Sequence, residues 1–94
     1  MRAWKADALS AERMLADGKF DEAEWRRILT VYAKEASDFA AGLGSATPER
    51  RDMSTRFARF SADAQDIASA GPERKARFSG LRGQCRSCHD AYAN

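Results

Sequence analysis

Apolar positions recur along this chain at spacings of three and four, the period of an α-helix, and no stretch alternates as a strand does. Met1, Trp4, Ala8, Ala11 and Leu15 form the first stripe, over residues 1 to about 16. Asp17-Gly18-Lys19 interrupts it, with Gly18 suited to the left-handed conformation that ends a helix. A second helix is predicted to start at Asp21 as N-cap. Glu24 three residues later would close a capping box, and Phe20 is placed to staple onto Trp25. Its stripe is Trp25, Ile28, Tyr32, Phe39 and Leu43, flanked by Leu29 and Ala36, and Gly42 and Gly44 end it. Thr47-Pro48 opens a third helix as N-cap and first helical residue, with Met53, Phe57, Phe60, Ala64 and Ile67 on its apolar face. Gly71-Pro72 separates this from a fourth helix, where Phe78, Leu81, Cys85, Cys88 and Tyr92 continue the pattern. Four amphipathic helices on short loops predict an all-α fold, an antiparallel up-down-up-down four-helix bundle forming a single domain over residues 1–94.

Composition narrows the classes of function. At 94 residues the chain makes one small domain, near the size where a core of protein alone is thin. Sixteen basic and fourteen acidic side chains are well mixed and leave a net charge of +2, so neither nucleic acid nor an anionic membrane surface is expected as a partner. Arg26-Arg27, Arg50-Arg51 and Arg74-Lys75 read as solvated helix faces. No apolar run approaches the roughly 20 residues of a membrane span. Met1 to Leu15 also lacks the continuous apolar stretch of a signal peptide.

The chemistry lies in Cys85-Arg86-Ser87-Cys88-His89, the C-x-x-C-H pattern of covalent haem attachment. On a helix, residues three and four apart share a face, so both thiols and the imidazole project together. Two thioethers can then tether one porphyrin, with His89 placed to ligate its iron. A redox dithiol would sit at a helix start in a β-α-β setting, and a structural zinc site needs four ligands where two cysteines and one histidine are on offer. His89 is the only histidine, so a sixth protein ligand would be a methionine: Met1, Met14 or Met53. Met14 and Met53 read first as core filling; Met1 shares the Trp4 stripe. Gly80 and Gly83 imply either a weak helix or room for a macrocycle or a neighbouring backbone. Trp4, Phe57, Phe60 and Phe78 read as core before cofactor lining, and Arg82 and Arg86 as exposed before anion-pairing. Tyr92, three residues beyond His89, is the candidate for packing near the proximal face.

A C-terminal haem motif in the last helix of a four-helix bundle resembles the class II cytochromes c, the cytochrome c′ group. The string Phe78-Ser-Gly-Leu81-Arg-Gly-Gln-Cys85-Arg-Ser-Cys88-His89-Asp90-Ala-Tyr92 sharpens the likeness, as does Gly18-Lys19-Phe20-Asp21 at the entry to the second helix. The resemblance implies a periplasmic protein, exported by a leader outside this chain, with one covalent haem c per chain and no enzymatic activity. It is often a homodimer in that family. Electron transfer with redox partner proteins is the expected function. The alternatives are a five-coordinate cytochrome c′ that binds nitric oxide or carbon monoxide at a vacant distal site, or a bundle subunit that works only with a partner. In the electron carriers a methionine of the first helix ligates the iron, and Met1-Arg2-Ala3-Trp4 is similar to that segment, making Met1 the candidate sixth ligand. The first helix is short for the family, and Ala93 stands where members often carry a basic residue.

Overall fold

The structure, a computed structural model, describes residues 2–69 and 73–92, with the Arg2 side chain excepted. All the described secondary structure is helical: α1 (Arg2–Asp17), α2 (Glu22–Leu43), α3 (Pro48–Ala68) and α4 (Arg74–Tyr92). The Gly71-Pro72 break and the positions of Met1 and Ala93 lie outside the described residues. None of these helices is long and apolar enough to cross a membrane.

Local chemistry sets the boundaries. Gly18 and Gly44 adopt φ of 70° and 66°, a region that side-chain-bearing residues avoid, and so end α1 and α2. Asp21 caps α2 by accepting from the Glu24 N–H at 3.1 Å. The predicted capping box is only half made, because the Glu24 carboxylate takes the Arg27 guanidinium at 2.7–3.1 Å. Thr47 caps α3 through the Arg50 N–H, with Pro48 in the first turn, where its missing donor costs nothing.

The core forms where the four stripes meet. Trp25, Ile28, Leu29, Phe78 and Leu81 are its largest fully buried side chains. The Trp25 indole packs between Phe20 and Phe78, with ring centroids 5.2 and 5.5 Å away, so the predicted staple forms. α2 and α3 are clasped by hydroxyls that donate across the interface, Ser61 to the Ala33 carbonyl at 2.6 Å and Ser54 to the Ala40 carbonyl at 2.9 Å. α1 joins them through the Tyr32 hydroxyl, which donates to the Trp4 carbonyl at 2.7 Å, and through an Asp7–Arg27 ion pair at 2.8 Å. Asp7 is buried within the α1 stripe and its charge is matched from α2. Phe39 was placed in the α2 stripe, yet it is 36% exposed. Its ring reaches Trp4 and Phe57 at the edge of the aromatic cluster, 6.3 and 5.4 Å between centroids.

Candidate functional site

α4 leaves the core progressively. Phe78 and Leu81 are buried, Cys85 and Cys88 are half-buried, and His89 and Tyr92 are exposed. The stripe that continues the apolar pattern in sequence thus opens along its last two turns. A cavity of about 670 Å³ lies against that open end. Leu81, Cys85, Cys88, His89 and Tyr92 form its α4 wall; Met53, Phe57 and Phe60 form its α3 wall; Trp4 and Ala8 close it from α1, and Tyr32 from α2. The volume lies within the roughly 300–1,000 Å³ of small-molecule and cofactor sites, and such sites are mainly apolar with a few placed polar groups.

The aromatic wall is rigidly held. Trp4 lies parallel to Phe60, 5.2 Å between centroids and 11° between planes, and tilts against Tyr32 at 5.0 Å. Its indole N–H donates to Glu35 at 3.2 Å while its carbonyl accepts from Tyr32. Burial, reinforced by the nearby Asp7 carboxylate, pushes the Tyr32 hydroxyl well above the ordinary tyrosine range.

The two thiols are free and share the cavity wall with the imidazole. Burial also pushes the Cys85 thiol up against the opposing effect of Arg82, so it is protonated at neutral pH. Among the described residues, no three His, Cys, Asp or Glu side chains converge closely enough to hold a metal ion. Cys85, Cys88 and His89 all lie on the α4 wall of the cavity. The donor set fits haem c: two thiols for its edge, one imidazole for its iron, and an apolar volume between helices for its ring.

Of the residues read from the sequence, Cys85, Cys88, His89 and Tyr92 are brought together. Met1 lies outside the described residues. Met14 is buried in the core, whereas Met53 lines the cavity. Gly80 and Gly83 do not line it; a Cβ at Gly80 would meet nothing within 4 Å, and one at Gly83 only the Arg86 side chain at 3.9 Å. Among the described residues no neighbouring backbone closes on either position. Trp4, Phe57 and Phe60 serve both cavity and aromatic cluster, while Phe78 belongs to the core alone. Arg82 turns to the cavity and to Glu12 at 3.6 Å, and Arg86 is exposed.

The sequence reading missed a cluster on α3. Arg56 lines the cavity, donates to Asp52 at 2.9 Å and to the Ser87 hydroxyl at 3.2 Å, and lies 5.7 Å from the Tyr92 ring centroid. The Tyr92 hydroxyl donates to the same Asp52 carboxylate. Tyr92 first and Arg56 second hold Asp52 below the usual carboxylate range, and that hydrogen bond raises Tyr92. The available signal was the Asp52–Arg56 spacing of four beside Met53 and Phe57. Compared with family models, curated proteins and solved structures, the chain matches none.

Proposed function

We propose that this chain is a periplasmic monohaem cytochrome of the class II type. In this reading it is an antiparallel up-down-up-down bundle that holds one covalent haem c and acts in electron transfer. The carrying observation is the cavity of about 670 Å³ with Cys85, Cys88 and His89 on one wall. The order of the cross-helix bonds supports the topology, since Ser54 meets Ala40 while the later Ser61 meets the earlier Ala33. Cys85 and Cys88 would hold the group by thioethers, and His89 would ligate its iron. When bound, the haem iron supplies one-electron redox chemistry. The chain's part is to hold that iron in a fixed surround: Phe57, Phe60 and Trp4 exclude water, and the clasped aromatic cluster resists rearrangement.

A second reading, binding of nitric oxide or carbon monoxide, is favoured by one feature. Among the described residues the α1 side of the cavity presents Trp4, Lys5 and Ala8, with no methionine or histidine. Mass spectrometry of protein matured in a host that attaches haem tests the central claim. Haem mass should survive denaturation and disappear in Cys85→Ser/Cys88→Ser; a bare polypeptide mass in the parent chain overturns it.

A further inference from the structure

Arg56 occupies an unusual position for a surface arginine. It reaches from α3 to α4 and donates to Ser87, the residue immediately before Cys88 within the motif. Its guanidinium also lies near the Tyr92 ring, one turn beyond His89. Asp52 draws both partners together by accepting from Arg56 on its own helix and from Tyr92 on α4. A carboxylate shared between a guanidinium and a phenol gives charge-assisted bonds, stronger than neutral ones and directional at the guanidinium fork. The three side chains span the α3–α4 seam at the end of α4 where the helix has left the core. His89 is exposed there.

We infer that Arg56, held by Asp52 and Tyr92, is a positioning residue that fixes the turn of α4 carrying Cys88 and His89 and places a permanent positive charge beside the haem. The inference rests on the proposed haem reading and adds the residue that tunes the site. Arg56 stays charged at any accessible pH, so its field at the cavity is constant. A positive charge disfavours the more positive, oxidised iron and raises the reduction potential; the Asp52 carboxylate acts in the opposite sense.

The two charges therefore make opposite predictions, which a merely structural clamp does not. In the haem-loaded protein, Arg56→Gln should lower the reduction potential and Asp52→Asn should raise it. Arg56→Lys keeps the charge without the fork and should stay close to the parent potential while altering the visible absorption that reports His89 ligation. Shifts of the same sign in Arg56→Gln and Asp52→Asn, or no shift in either with haem attached, overturn the inference. Should Arg56→Gln fail to fold, the upward shift in Asp52→Asn and the retained potential in Arg56→Lys remain required. A parent chain that never acquires haem mass overturns the functional reading itself, and the two failures are told apart by that mass.

Discussion

At the scale of single residues, Tyr32 links the cavity to the rest of the molecule and makes a testable link to pH. Its hydroxyl is buried, donates to the Trp4 carbonyl, and is driven upward in pKa first by that burial and next by Asp7. In the unfolded chain it would ionise near the ordinary value of 10.0. Below that value the phenol is protonated in both states and its contribution to stability is fully present. As pH rises past it, the unfolded state loses its proton first, and stability declines toward the raised folded value. Chemical denaturation of the chain at a series of pH values above 9 should thus show a falling midpoint, and Tyr32→Phe should flatten the fall. At neutral pH the same substitution should cost about 1 kcal/mol, the worth of one hydrogen bond. A midpoint in the variant that falls as steeply as the parent's would contradict this role. Periodicity alone marked Tyr32 as inward-facing. It gave no sign that the hydroxyl would find a main-chain carbonyl on α1, because that partner depends on how the helices are set against each other. Asp7 was illegible for the same reason: a carboxylate in an apolar stripe makes sense only once Arg27 is seen to reach it.

At the scale of elements, the helix limits were nearly all written in local chemistry. Asp21, Thr47-Pro48, Gly18 and Gly44 act within their own turns, so spacing and backbone preference suffice to place them. The failures came where an element competes for a partner. Glu24 was assigned to the cap and instead binds Arg27, which Asp7 also engages. α4 shows the opposite kind of limit. Its stripe was read as one continuous face from Phe78 to Tyr92, whereas its burial fades along the helix as it runs beside the cavity from Leu81 onward. Within α4, Gly80 has an ordinary helical backbone and an open space where a Cβ would go. Gly80→Ala should therefore stabilise the protein by about 0.5–1 kcal/mol through helix preference alone. Thermal denaturation followed by circular dichroism would detect the gain, and haem loading should be unchanged because the position does not face the cavity. A loss of stability would mean that something the isolated chain does not display packs against Gly80. Thr47→Ala should act in the opposite direction, costing about 1 kcal/mol by releasing the Arg50 N–H at the start of α3.

At the scale of the whole molecule, the four helices are unequally held. α2 and α3 share buried Phe60, Ser61 and Ala64 on one side and Tyr32, Ala33 and Ala36 on the other, with hydroxyl clasps along the seam. α1 and the end of α4 border the cavity, so part of the surface that would otherwise pack them together is given to that space. In sequence the motif and the stripes were legible, but the cavity was not, because a void is a relation among four elements and no single stripe records it. Local stability should mirror this inequality among the helices. Amide hydrogen exchange on the chain without haem should find the slowest amides in α2 and the second half of α3. Faster ones should lie at the start of α1 and in the last two turns of α4. A group that binds the folded form and joins the walls raises the cost of opening each of them. Covalent loading should accordingly slow exchange most around residues 4–8, 53–60 and 81–92, the three cavity walls outside α2. Protection confined to the motif turn would show that haem hangs on α4 without filling the bundle. A uniform gain across all four helices would instead mean that the chain folds only with its cofactor, in the manner of small metal-dependent domains. The graded outcome is the one these contacts support, since the α2–α3 seam is held by its own hydroxyl bonds and the Tyr32–Phe60 ring contact.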